Sequence, residues 1–175
     1  TTFEQLKSVK WAKQENIKGR GILAISNFLG AYDFADGSKV TRSSIRKRDY
    51  HHIFPDALLK EAGIGSYLAL NCALISGPTN KTIGRKDPLD YLKDRYKWNS
   101  EDIINQRLKS HLIPINELSN GGYDDQILKD NNIDKKTKIK KDFDAFISSR
   151  AMLFDKAVKL LCSGKDISSF DFYTE

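Results

Sequence analysis

Asp49-Tyr50-His51-His52-Ile53-Phe54-Pro55, followed by Asn71-Cys72-Ala73-Leu74-Ile75-Ser76-Gly77-Pro78-Thr79-Asn80, decides how this chain is read. Asp49–Phe54 has strand composition and stops at Pro55, which has no N–H to give a ladder. Leu68–Ser76 is an apolar run bounded by Gly77-Pro78 and reads as a second, buried strand. Between them, Asp56–Ala62 predicts a short helix with Asp56 as N-cap and Gly63 at its end. Neighbouring residues of a strand point to opposite faces, so His51 and His52 are free to do two different jobs, one holding a metal and one facing a substrate. Asn80 follows the second strand, where a turn into a helix brings its amide oxygen back toward the same metal. One imidazole, one amide oxygen and several open positions make a weak, oxygen-tolerant site of the kind that suits Mg²⁺ or Mn²⁺. A neutral histidine beside such an ion can take a proton from water at neutral pH. The reaction these pieces point to is metal-assisted hydrolysis of a phosphodiester.

Outward from this centre the pattern is helical. Thr1–Ile17 carries Phe3, Leu6, Val9 and Ala12 at helical spacing, Gly19 and Gly21 punctuate it, and Ile22–Ala31 reads as a second helix. Ala35–Gly37 is a turn. Helical material is expected around Pro88–Lys97 and over Ser100–His111, opened by Ser100 with Glu101 and Asp102 in its first turn. Ile113–Asp125 reads as a loop. A long helix is placed from Asp134 to Ser163, with Ile139, Phe143, Phe146, Leu153 or Phe154, Ala157 and Leu160 or Leu161 on its apolar face. Lys135, Lys136, Lys138, Lys140 and Lys141 crowd its first turns against the macrodipole, which fits either a solvated face or a polyanion partner.

The expected fold is therefore mainly α with a small strand–strand–helix module, an α+β chain. Residues 1–32 form an N-terminal helical segment, 33–98 the module, and 99–175 a C-terminal helical layer, all in one compact domain. The 175 residues carry 29 Lys and Arg against 23 Asp and Glu, a net charge of +6. A basic chain fits a polyanionic partner without establishing one. The longest apolar stretch, Gly21–Tyr32, is broken by Ser26, Asn27 and Gly30, so no membrane span is expected. The start is amphipathic and charged rather than leader-like. Met152 is the only methionine, and the chain is expected to be part of something longer. Cys72 and Cys162 sit in apolar contexts without CxxC spacing, so both are expected as buried reduced thiols in a cytoplasmic protein. Gly77–Thr82 lacks the glycine before its lysine that a phosphate-wrapping loop needs.

The central run resembles the HNH nuclease motif of the ββα-metal fold, and more closely the HNH domain at the C-terminus of GmrSD-type restriction proteins. That domain has the form HHIFP, then N-x-x-L-[IL]-S-G-x-T-N, then I-G-x-K-D-P-x-D-Y-L. Here these are His51–Pro55, Asn71–Asn80 and Ile83-Gly84-Arg85-Lys86-Asp87-Pro88-Leu89-Asp90-Tyr91-Leu92. His111-Leu112-Ile113-Pro114 and Phe143-x-x-Phe-x-x-x-Arg150-Ala151 are also similar, so the resemblance spans about residues 31–163.

The resemblance implies that His51 and Asn80 are metal ligands and that His52 is the general base. Asn71 braces the motif, with Asp49 as further support. Arg85 and Lys86, with Arg46, Lys47 and Arg48 of the basic run Arg42–Arg48, are expected on DNA phosphates. Asn80 stands where three-histidine relatives bind Zn²⁺ or Ni²⁺, so Mg²⁺ or Mn²⁺ is expected instead. The implied function is an endodeoxyribonuclease of a bacterial, cytoplasmic restriction or anti-phage defence protein. Recognition and nucleotide hydrolysis would then lie in an N-terminal domain outside this chain. Two alternatives stay open: a non-catalytic DNA-binding or partner-docking module with a vestigial site, and an HNH toxin. His111, at a helix end, is explained by C-terminal capping.

Overall fold

In the computed structural model, residues 3–12 and 16–173 are described. Two strands, β1 (Arg48–His52) and β2 (Cys72–Ser76), form an antiparallel pair. The helices are α1 (Phe3–Ser8), α2 (Ile17–Phe28), α3 (Asp56–Glu61), α4 (Gly77–Ile83), α5 (Pro88–Tyr96), α6 (Glu101–Lys109), α7 (Ile115–Leu118), α8 (Asp125–Asp130) and α9 (Lys135–Cys162). The chain is mainly helical with one small sheet, an α+β architecture, and β1, β2 and α4 make a strand–strand–helix unit.

Register sets His51 opposite Ala73 and His52 opposite Cys72. Asp49 and His51 thus share one face with Ala73 and Ile75, while Tyr50 and His52 share the other with Leu74 and Cys72. The first face meets α4 and the main core, which runs from Leu6 through Ile53, Ile75 and Ile83 to Phe143 and Phe154. One apolar core thus draws on all three expected segments. The second face meets a smaller cluster of Trp11, Ala12 and Leu23. Ser76 caps α4 by accepting from the Thr79 N–H at 3.3 Å, and Pro78 stands in the first turn, where a missing N–H costs nothing. Gly84, at φ 57°, ends it.

Several boundaries differ from the sequence reading. The N-terminal helix ends at Ser8, and Val9–Trp11 runs extended beside Tyr67–Ala69. The Trp11 N–H donates to the Tyr67 carbonyl at 2.9 Å, and the Ala69 N–H to the Val9 carbonyl at 2.8 Å. The rest of the expected Thr1–Ile17 helix includes residues 1–2 and 13–15, which lie outside the described residues. Gly19 and Gly21 do not break α2 but lie inside it, because Asn16 caps it by accepting from the Gly19 N–H at 2.9 Å. A Cβ on Gly19 would lie 2.6 Å from the Lys10 carbonyl oxygen, so glycine there permits a close approach.

Asp56 is the first residue of α3 rather than its cap, and its carboxylate accepts from the Ser66 hydroxyl at 2.5 Å. The second strand begins at Cys72, because Ala69–Asn71 forms a 3₁₀ turn. The expected loop Ile113–Asp125 contains α7 and leads into α8. Helix α9 is close to expectation, with Asp134 capping it by accepting from the Thr137 N–H at 2.8 Å. Cys72 is buried, which pushes its thiol up to about 12, but Cys162 is exposed at the end of α9.

Arg150, wholly buried on α9, ties that helix to the sheet. Its guanidinium donates to the carbonyls of Leu70 at 2.7 Å, Cys72 at 3.0 Å, His111 at 2.8 Å and Leu112 at 3.2 Å. No helix among the described residues is long and apolar enough to cross a membrane.

Candidate functional site

The site forms where β1 ends against α4. Asn80, in the middle of α4, faces β1, and its amide lies between two β1 side chains of the same face. Asn80 Nδ2 donates to Asp49 Oδ2 at 3.1 Å, and Asn80 Oδ1 lies 2.8 Å from His51 Nδ1. A carboxylate only accepts, so Asp49 fixes which end of the amide turns toward His51. His51 is 3% exposed. Burial pushes its pKa down to about 4, against a smaller opposing pull from Asn80, so the imidazole is neutral at pH 7 and able to serve as a ligand. Its Nε2 is buried with no hydrogen-bond partner among the described residues.

His51, His52 and Asn80 open onto one cleft of about 430 Å³, whose rim carries Asp56, Lys60 and Arg85. His52 leaves the opposite face of β1 from His51, yet the strand ends there, so both rings reach the cleft. Asn71, fully buried, holds the turn that follows His52. It accepts from the Phe54 N–H at 2.8 Å and donates to the carbonyls of Phe54 and Ser66, both at 3.0 Å.

The expected phosphate-binding residues divide. Arg85 is exposed on the cleft rim, and Arg46 and Lys47 are exposed on the turn before β1. Lys86 is turned to Asp94 in an ion pair. Arg48 is committed inward: its side chain is 7% exposed, and its guanidinium donates to buried Asp33 at 3.0 Å and to the Ser38 hydroxyl at 2.7 Å. In α9, Lys135 is paired with Glu61 and Asp125, each at 3.0 Å, and Lys138 with Asp142 at 2.5 Å. Those lysines are held by this chain's own carboxylates. His111 does not cap its helix: it is buried, and its Nε2–H donates to the Tyr32 carbonyl at 2.7 Å.

Asp33, absent from the sequence reading, sits behind the site and joins its two sides. It accepts from Arg48 at the start of β1. It also accepts from the Ser76 N–H and the Thr79 hydroxyl at the start of α4, both at 2.6 Å. Burial pushes its carboxyl up, but the bonds from Thr79, Ser76, Ala35 and Asp36 together hold it below the ordinary value. Trp11 and Tyr67, which pack on His52, were likewise invisible, because their contacts cross long stretches of chain. Lys60 had a usable signal: it lies on the short helix that follows the His-His run.

Among the described residues no three or more His, Cys, Asp and Glu side chains gather around a common point where an ion would sit. The donors on hand are the His51 imidazole and the Asn80 amide oxygen, with the Asp49 carboxylate behind it. Atoms that ligate one ion at about 2.1 Å and at right angles lie about 3 Å apart. His51 Nδ1–H donates to Asn80 Oδ1 at 2.8 Å, so an ion held by both atoms would take the place of that shared proton.

No family model matches the chain, and no solved structure matches it. The uncharacterized protein MJ0686 of Methanocaldococcus jannaschii is 30% identical over an alignment 174 positions long that covers 89% of this chain. The chain spans only 27% of that relative's length.

Proposed function

We propose that this chain is a metal-dependent endonuclease domain of the HNH, ββα-metal type that hydrolyses DNA phosphodiester bonds. The observation that carries the reading is the approach of His51 Nδ1 to Asn80 Oδ1 at the floor of a cleft that also receives His52. His51 and Asn80 would hold Mg²⁺ or Mn²⁺, with Asp49 orienting the amide. Such an ion supplies charge stabilisation for the phosphorus oxygens and the departing 3′ oxygen.

The chain's own residues do the rest. His52, in its neutral form, takes the proton of the attacking water. Arg85 and Lys60 on the rim attract and orient the phosphate, although Lys60 must share its charge with Asp56, which it meets at 2.6 Å. Asn71 keeps the turn after His52 in one shape, so the base enters the cleft from a fixed backbone. By the resemblance, the setting is a restriction or anti-phage defence protein whose recognition domain lies elsewhere in a longer polypeptide. The relative's host makes an archaeal cytoplasm as fitting as a bacterial one.

The test is incubation with supercoiled plasmid and Mg²⁺ or Mn²⁺, beside EDTA and His52→Ala controls. Metal-dependent nicking or linearisation that His52→Ala abolishes is the expected result. No cleavage with either metal, together with salt-sensitive DNA binding, would replace this reading with a non-catalytic DNA-binding module.

A further inference from the structure

The second face of β1 carries an arrangement that the metal-ligating pair does not use. Tyr50 and His52 project from it, and Trp11 lies across both. The indole centroid is 4.1 Å from the His52 ring at an interplanar angle of 52°, and 6.1 Å from Tyr50. Tyr67 closes a third side, edge-on to His52 at 5.0 Å and 79°, and 5.3 Å from Trp11.

Trp11 is 6% exposed, and its Nε1 is buried with no partner among the described residues. An unpaired buried N–H costs stability, so filling space alone would favour a wholly apolar side chain here. The backbone that carries it is tethered on both sides. Trp11 and Val9 bond to Tyr67 and Ala69, and Lys10 pairs with Leu68. From the other side Asn16 Nδ2 donates to the Lys10 carbonyl at 3.0 Å, the same oxygen that Gly19 approaches.

We propose that Trp11 is a positioning residue for His52: its indole, seated by the pairing of residues 9–11 with 67–69, holds the imidazole in the orientation that accepts a proton from the attacking water. This rests on the reading of His52 as the base. The terminal torsion of a histidine is broad and roughly two-fold, so a half-buried ring at a strand end samples several orientations unless a flat neighbour restricts it. Misplacement of a reacting group by about 1 Å is enough to cost roughly 100-fold in rate. The N-terminal segment is then part of the active site, and the strand–strand–helix unit is incomplete without it.

The experiment uses the full chain with Mn²⁺ and a plasmid or duplex substrate. It compares wild type, Trp11→Met, Trp11→Phe, His52→Ala and Leu23→Ala. Leu23 belongs to the same small cluster as Trp11 and serves as the packing control. Trp11→Met is expected to lower kcat about 10- to 100-fold with KM within about twofold, and Trp11→Phe to recover most of the loss. Leu23→Ala is expected to lose thermal stability but keep kcat.

A second readout is independent of activity. The His52 ring protons of the wild type, identified by their loss in His52→Ala, should show a ring-current displacement in NMR spectra. Trp11→Met should abolish that displacement and Trp11→Phe should partly keep it. Undisplaced His52 ring protons in the wild type overturn the proposal even if neither Trp11 variant folds. A folded Trp11→Met with wild-type kcat, or rates that fall alike in Trp11→Met and Leu23→Ala, also overturns it while the nuclease reading stands. If the wild type does not cleave, or His52→Ala cleaves as well as the wild type, the reading of His52 as base falls and takes this proposal with it.

Discussion

Asp49 decides which atom of Asn80 faces His51: its Oδ2 accepts from Asn80 Nδ2 at 3.1 Å and leaves Oδ1 pointing at His51 Nδ1. Without that carboxylate the amide is free to turn and present its NH₂ to the imidazole. Partners that orient metal ligands are worth roughly 10–100-fold in affinity. Asp49→Ala is therefore expected to weaken Mn²⁺ binding by at least about tenfold, with little change in melting temperature. Titration calorimetry or Mn²⁺ electron paramagnetic resonance measures this, and equal affinity in the variant and the wild type would remove Asp49 from the site.

Arg150 sets the stability of the unit from behind. Among the described residues it is the largest fully buried side chain, and four backbone carbonyls share its charge. Arg150→Met leaves those carbonyls without donors in a dry interior. Unsatisfied buried groups cost about 1–3 kcal/mol each before relaxation, so a total loss of at least about 3 kcal/mol is expected in urea unfolding. Arg150→Lys rescues little, because an ammonium cannot fork to carbonyls on both sides. A loss under about 1 kcal/mol for Arg150→Met would falsify this account of how α9 is fastened.

Stability should fall on the acid side. His51 and His111 are both pushed down to about 4, chiefly by burial, from the ordinary 6.5. Their folded pKa values lie below the unfolded ones, so the unfolded chain binds more protons between about pH 6.5 and 4. Stability is full above that window and drops as pH falls through it. The slope is on the order of 1 kcal/mol per pH unit for each histidine. Urea midpoints measured with chelator at pH 7.5 and 5.0 should differ accordingly. His111→Gln, which keeps a donor for the Tyr32 carbonyl, should flatten part of the slope. Equal midpoints at the two pH values would show that neither ring is buried in neutral form.

The parts of this architecture that sequence discloses are the ones whose cause is local. His51–Pro55 and Cys72–Asn80 carry their own stop signals, apolar runs and cap, so both strands follow from adjacent residues, while the pairing of His51 with Asn80 is expected from the family resemblance. Helix α9 is legible because its apolar spacing is sustained and Asp134 caps it. Phe3, Leu6, Val9 and Ala12 mislead, since Val9 is buried from an extended segment, and Ala12 from the bend after it, as readily as from a helix. The contacts made by Asp33, Trp11 and Arg150 are out of reach for another reason, although Arg150 belongs to the run that resembles the family. Each acts on residues some 40–80 positions away. Their roles depend on tertiary contact rather than on neighbouring composition. Arg48 shows the same limit from the other side: it reads as one of a basic run, and only its meeting with Asp33 separates it from Arg46 and Lys47.

That separation predicts how DNA affinity divides among the cations. In a His52→Ala background, expected to remove cleavage, binding of a labelled duplex by fluorescence anisotropy should weaken as salt rises. Arg46, Lys47 and Arg85 are exposed, so replacing any one with alanine should lower affinity and reduce the salt slope by about one phosphate contact. Lys86→Ala should do less, since a phosphate must first displace Asp94. Arg48→Ala should leave the slope unchanged and instead lower stability by about 3 kcal/mol or more, because the Asp33 carboxylate stays buried without its cation. A slope change for Arg48→Ala equal to that for Arg46→Ala would mean that Arg48 swings out to meet DNA. Asp33 would then have to hold the starts of β1 and α4 together without it.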